Sequence, residues 1–77
     1  MKEILEYLVT NLVKEPESVK IEYTRDGRTN IFYVKVSDID LGVVIGRNGN
    51  TAQAIRTLVK SFCKAGERVV VKFEGNE

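Results

Sequence analysis

The 77-residue sequence has no histidine. That removes the side chain most often used as a general acid or base near neutral pH, and the commonest metal ligand. Ser37 and Ser61 are left with no base to activate them, and no pair of carboxylates adjoins the basic part of the chain. Metal ligation narrows to Asp38 and Asp40, for which capping a helix N-terminus is the simpler use. One cysteine, Cys63, cannot staple a monomer as small secreted domains are stapled. A single proline and 43% hydrophobic residues place the chain outside disordered compositions. No apolar run approaches the roughly 18 residues that cross a bilayer. The first segment, MKEILEYLVTNLVKE, sets acids among apolar positions and lacks a small-residue cleavage site, so no signal peptide is expected. These absences predict one cytoplasmic domain spanning residues 1–77, not an enzyme, with no metal, cofactor, small-molecule substrate or membrane. A chain this short buries only about 60% of its unfolded surface and is marginally stable unless it pairs with something.

Excess charge is lacking too. Twelve Lys and Arg face eleven Asp and Glu, a net of +1 with a pI near 7.8. As a total, this argues against the strongly basic domain, pI above about 9, of a nucleic-acid binder. The distribution says otherwise. Residues 1–40 hold eight acids and six bases, and residues 67–77 hold three acids and two bases. Between Leu41 and Gly66 there is no acid, while Arg47, Arg56, Lys60 and Lys64 supply four positive charges. Such a local field steers anions even when the whole chain is nearly neutral. The same four cations also suit the solvated face of one amphipathic helix.

Ile4, Leu5, Leu8, Val9 and Leu12 recur at three- and four-residue spacing and predict a helix over 2–14, ended by Pro16. Asp26-Gly27 predicts a hairpin with a type I′ turn pairing Arg25 with Arg28, Ile21 with Phe32 and Val19 with Val34. That register puts Val19, Ile21, Tyr23, Phe32, Val34 and Val36 on one face, and Ile31 and Tyr33 on the other with the charged residues. Arg25 and Arg28 read as solvated turn residues. A short helix capped by Ser37 or Asp38 is expected to about Val44, and another from Asn50 or Thr51 to Lys64 with Ile55, Leu58, Val59 and Phe62 buried. A last strand over 68–73, with Val69, Val71 and Phe73 on one face, follows a crossover long enough to make it parallel to the second strand. Residues 75–77 are expected to fray. The result is an α+β fold of order α-β-β-α-α-β, a three-stranded mixed sheet with three helices on one face.

Between the second and third helices lies Gly46-Arg47-Asn48-Gly49. Two glycines let the backbone turn sharply and approach another backbone closely. The loop opens into the next helix, whose free N–H groups and positive dipole end favour phosphate. Arg47 adds a cation at the tip, Gly42, Ala52 and Ala54 leave shallow space, and Val43, Val44 and Ile45 offer apolar contact to a base. The sequence does not decide which of those three faces outward. Two glycines at this spacing are explained equally by a tight helix–helix corner. A nucleotide-hydrolysing P-loop is excluded, because the spacing is wrong and no Lys-Ser/Thr follows.

Val44-Ile45-Gly46-Arg47-Asn48-Gly49 with Ile55-Arg56 resembles the signature of the KH domain, and the element order resembles its type II arrangement. The core motif covers about residues 29–73, with helix and strand 2–25 as the N-terminal addition. A single domain of this length is similar to the small bacterial KhpA family of RNA-binding proteins. The resemblance implies a clamp on about four nucleotides of single-stranded RNA, formed by Gly46, Arg47, Asn48 and Gly49. Gly42, Val43 and Ile45 would wall the groove, Asn50, Thr51 and Arg56 would flank it, and Val70 and Lys72 would reach it from the last strand. Post-transcriptional regulation or RNA chaperoning would be the role. The short connection Ala65-Gly66-Glu67 departs from KH domains that make contacts through a longer loop there. The resemblance also implies an alternative, a dimerisation module pairing with itself or with a larger Jag-type KH protein. Tyr33 and Ile31 on the open sheet face suit either a partner or the chain's own terminus.

Overall fold

Alternating apolar and polar residues build the sheet. In the computed structural model, which describes residues 1–76, β1 (Lys20–Asp26) and β2 (Thr29–Val36) pair antiparallel, and β3 (Arg68–Gly75) pairs parallel to β2. Three helices complete the order: α1 (Lys2–Leu12), α2 (Asp38–Ile45) and α3 (Asn50–Lys60). The strand order is β1-β2-β3, the mixed sheet expected from the crossover.

The hairpin turn differs from expectation. Asp26 pairs with Thr29, Tyr23 with Phe32 and Ile21 with Val34, so the two loop residues are Gly27 and Arg28. Of these only Gly27 takes a positive φ, +61°, the pattern of a type II′ turn, which needs glycine first and tolerates arginine second. The register moves by two residues. Side chains alternate with period two, so the two faces keep their composition.

Ile21, Phe32, Val34, Val36 and Val71 of the inner face pack against Leu5 and Val9 of α1, Val44 of α2, and Ile55 and Val59 of α3. The Tyr23 ring lies 4.9 Å from that of Phe32, and its hydroxyl donates to Asn30 Oδ1 at 2.6 Å. Asn30 Nδ2 donates to Arg68 O, which satisfies this buried amide. On α3 the buried set is Ala52, Ile55 and Val59, whereas Leu58 and Phe62 are 41% and 55% exposed. Two of the four residues of the expected stripe are therefore exposed. Only Ala52, Ile55 and Val59, at three- and four-residue steps, face the sheet.

Two helices stop earlier than their apolar patterns suggest, because carboxylates and a hydroxyl take over their backbone groups. The amides of Lys14 and Glu15 donate to Asp40 Oδ1 and Oδ2 at 2.9 and 3.0 Å, and the chain leaves α1 after Leu12. Asp40 is fully buried and tethers α1 to α2, where the sequence suggested a cap for its own helix. Beyond Lys60, Ser61 Oγ donates to Leu58 O, and the amides of Phe62 and Cys63 bond three residues back, a tightened last turn. The C-terminal end is held more firmly than expected. β3 runs through Gly75, Asn76 N donates to Val36 O and Asn76 Nδ2 to Ser18 O, while Glu77 lies outside the described residues.

Asp40→Ala removes the acceptor of two backbone amides and is expected to destabilise the domain by about 2–3 kcal/mol in urea unfolding. Asp40→Asn, which keeps one good acceptor, should lose about half as much.

Candidate nucleic-acid interface

α2 carries apolar residues almost all round, and the fold divides them. Val44 is fully buried, while Val43 and Ile45 are 43% and 37% exposed. The outward members of Val43-Val44-Ile45 are therefore the two that flank the core residue. Ile39, 65% exposed, lies one turn before Val43. Ile39, Gly42, Val43 and Gly46 fall at three- and four-residue steps and form one open stripe that runs into the loop. Sequence reasoning did not single out Ile39 for this surface; its spacing to Val43 was the available signal. Nothing lies within 4 Å of where a Cβ on Gly42 would be, so the stripe is shallow and accessible there.

The loop is shaped by backbone conformation. Gly46 ends α2 with φ +77° and ψ 175°, its amide still donating to Gly42 O at 2.9 Å. A Cβ at Gly46 would lie 2.6 Å from Thr51 Cβ and 2.8 Å from Thr51 N, far inside contact distance. The loop thus folds back directly onto the first turn of α3. Arg47–Gly49 form one 3₁₀ turn, with Asn48 at φ +56° and Gly49 at φ +76°. Asparagine is among the few side chains that adopt this left-handed conformation routinely. Left-handed residues at this point turn successive N–H groups toward one side, as in anion-binding nests; here the Gly49 amide donates to Gly46 O at 3.2 Å and the Asn50 amide to Arg47 O, so those two are used within the loop.

α3 starts at Asn50 with no side-chain cap and no acid in its first turn. Beyond Asn50, whose amide donates to Arg47 O, the N–H groups of its first turn and its positive dipole end open beside the loop. Arg47, Asn48 and Asn50 are exposed, and Thr51 is half-buried beneath Gly46. Of the nearest acids, Asp40 is buried under α1, and Asp38 sits at the opposite end of α2, about 12 Å of helix away.

Two expected site residues behave differently from the rest. Arg56 Nε donates to Val71 O at 3.1 Å and its guanidinium lies 5.4 Å from the Phe73 ring centroid. It braces α3 against β3, with part of the guanidinium thereby engaged. Val70 and Lys72 alternate with the inward Val71 and so project from the uncovered sheet face, opposite Ile31 and Tyr33. Lys72 Nζ lies 5.6 Å from the Tyr33 ring centroid. The structure gathers Gly42, Val43, Ile45 and the run from Gly46 to Thr51 into one surface, but not Val70 or Lys72.

The two loop glycines should respond differently to substitution. Gly49→Ala meets no neighbour and bears only the left-handed backbone cost, about 1–2 kcal/mol. Gly46→Ala adds the collision with Thr51 and should lose at least twice as much in thermal or urea unfolding.

Comparison with known proteins shows the family of the chain. A family model described as the KH domain of KhpA/KhpB matches residues 2–73. The RNA-binding protein KhpA of Chlamydia pneumoniae is 44% identical over 61 residues, covering 79% of this chain and 78% of that protein. The protein of the same name from Streptomyces coelicolor is 42% identical over 69 residues, covering 90% and 87%. That from Clostridium perfringens is 41% identical over 73 residues, covering 94% and 97%. Among solved structures, Era in complex with MgGDPNP and a segment of 16S ribosomal RNA superposes with a TM-score of 0.58 at 16% identity. That match covers 95% of this chain and 28% of the Era chain, a likeness of fold. The family model and these relatives each span most of the chain, and the chain belongs to the KhpA/KhpB KH-domain family.

Proposed function

We propose that this domain binds single-stranded RNA without catalysis, gripping the phosphate backbone in the Gly46–Gly49 loop. The observation that carries the reading is the exposed turn with left-handed Asn48 and Gly49 beside the uncapped start of α3, with Arg47 exposed at its rim and no acid in that turn or in the first turn of α3. Relatives bearing the name RNA-binding protein KhpA support the ligand class.

Phosphate oxygens accept from the loop and α3 amides, with Arg47 adding charge. Asn50 and Thr51 flank the same point, and the stripe Ile39–Gly42–Val43 with Ile45 lies under the unstacked bases. No aromatic residue occurs between Asp38 and Ser61, so the bases lie on aliphatic surface and do not stack on rings. Affinity is accordingly modest and sequence preference slight, with a salt dependence of about −0.7 per phosphate contact in log–log slope. Such a grip suits a cytoplasmic RNA chaperone or post-transcriptional regulator.

A second reading, pairing with another copy or with a larger Jag-type KH chain, is favoured by one observation. Leu58 near the end of α3 and Phe62 in the turn just after it leave apolar surface exposed that a lone domain does not use.

Arg47→Asp with Asn48→Asp tests the first reading. Both residues are exposed, so circular dichroism should be unchanged, while binding to a mixed pool of single-stranded RNA should fall at least tenfold by fluorescence anisotropy. Undiminished binding would sink the clamp. For the second reading, light scattering should show an oligomer that Leu58→Glu converts to monomer; a monomeric starting protein rejects self-pairing, and no complex on mixing with a Jag-type KH chain rejects the other form.

A further inference from the structure

One face of the sheet carries no helix. Phe32, Val34 and Val36 of β2 point into the core, so the residues alternating with them point away from it. Across the three strands the register arranges this outer face in four rows: Asp26–Thr29–Arg68, Thr24–Ile31–Val70, Glu22–Tyr33–Lys72 and Lys20–Lys35–Glu74. Neither end of the described chain covers it. α1 packs on the opposite face, and Asn76 is bonded to Val36 O and Ser18 O at the end of the sheet. At the centre Val70 is 39% exposed, Ile31 and Tyr33 are half-buried, and Lys72 Nζ lies 5.6 Å from the Tyr33 ring centroid.

The charges in these rows follow a pattern. In three rows the β1 and β3 residues carry opposite signs: Asp26 and Arg68, Glu22 and Lys72, Lys20 and Glu74. The remaining row is uncharged. Two such faces stack about 10 Å apart with their strands within about 30° of each other. A two-fold axis parallel to β2, midway between them, keeps each row at its own level and exchanges its ends. β1 of one copy then lies over β3 of the other. Asp26 meets Arg68, Glu22 meets Lys72 and Lys20 meets Glu74, each pair occurring twice, while Ile31 and Tyr33 meet their own equivalents at the centre. Self-complementarity of this kind is what an isologous interface requires, and an apolar centre inside a charged rim is the usual anatomy. The two Lys35 side chains approach on the axis, each paired with Glu22 of its own chain at 3.2 Å and next to Glu74 in its row. A two-fold running across the strands matches less well, since Glu22 would face Thr24 and Lys72 would face Val70.

We infer that the uncovered sheet face docks a second copy of this chain, sheet on sheet, about the two-fold parallel to β2. Lys20, Lys35, Arg68 and Lys72 against Glu22, Asp26 and Glu74 leave the face nearly neutral, which suits its own copy better than an anionic strand. Strand rise and spacing make it about 20 by 15 Å, well under the roughly 800 Å² per partner of a standard interface. The pair is therefore weak and forms at high protein concentration. The surface is distinct from Leu58 and Phe62, which belong to the helical side of the sheet. Stacking leaves α2, α3 and the Gly46–Gly49 loop on the outside of both copies, so pairing and an occupied loop do not exclude one another.

Exchanging charges tests this. Sedimentation equilibrium from micromolar to millimolar concentration should show association that persists in Leu58→Glu. Over the same range, amide shifts of the ¹⁵N-labelled chain should move at Thr24, Ile31, Tyr33 and Val70 and stay still at Arg47–Thr51. Glu22→Lys sets a lysine against Lys72 of the second copy, and Lys72→Glu sets a glutamate against its Glu22. Each variant alone should pair at least tenfold more weakly. Mixed in equal amounts, the two restore both contacts, and their heterodimer should form about as tightly as the parent dimer. Both positions are exposed, so circular dichroism of each variant should match the parent. A parent that stays monomeric at millimolar concentration, single variants that pair as well as the parent, or a mixture that pairs no better than either variant alone overturns the sheet dimer. Association lost in Leu58→Glu but kept in Glu22→Lys assigns self-pairing to α3 and likewise overturns it.

Discussion

The site depends on a contact with no room for a methyl group. Gly46 lies against Thr51 so closely that any Cβ would overlap the threonine side chain and backbone nitrogen. Its left-handed φ turns the chain out of α2 at the same point. Steric exclusion and torsion thus act on one residue. Together they set where α3 begins relative to α2, and hence where the loop amides lie relative to the first turn of α3. The left-handed Asn48 and Gly49 are the means by which four residues cover that short distance. With a longer, looser connection the loop would not be held against the first turn of α3.

Two carboxylates govern the rest of the electrostatics by being used internally. Asp40 takes the amides that end α1, and Glu67 takes the amide of Lys64 and the guanidinium of Arg25. Each joins segments distant in sequence or space, and each removes a negative charge from surface that an anion would otherwise avoid. Arg56 is the cationic counterpart, bracing α3 on Val71 and Phe73. A chain of net charge +1 can in this way present basic surface at the loop and at the hairpin end.

Much of this was legible in the residues. The order of elements followed from hydrophobic periods, the faces of the hairpin from alternation, and the loop from two glycines between helices in an acid-free stretch. What failed was decided by competition between partners. The register shifted because Gly27-Arg28 satisfies a type II′ turn as readily as Asp26-Gly27 suits type I′, and alternation is blind to a two-residue slip. α1 ended early because Asp40, more than twenty residues away, supplied better acceptors for its next amides. Leu58 and Phe62 looked like core because a period of 3.6 admits neighbouring stripes, and only the sheet's position chooses between them.

The sequence alone determined local geometry: where the chain turns, which strand faces are apolar, and which four residues could form a nest. Torsional freedom and hydrophobic spacing are properties of neighbours, so they can be read in place. Tertiary structure decided that Val43 and Ile45 face outward while Val44 is core, that Arg56 serves as a brace, and that Val70 and Lys72 lie across the sheet from the loop. Those outcomes depend on which distant segment arrives to accept a hydrogen bond or exclude water. The absence of acids from residues 41–66 was written in the chain; that its cations are spread from the loop to the far end of α3 had to wait for the fold.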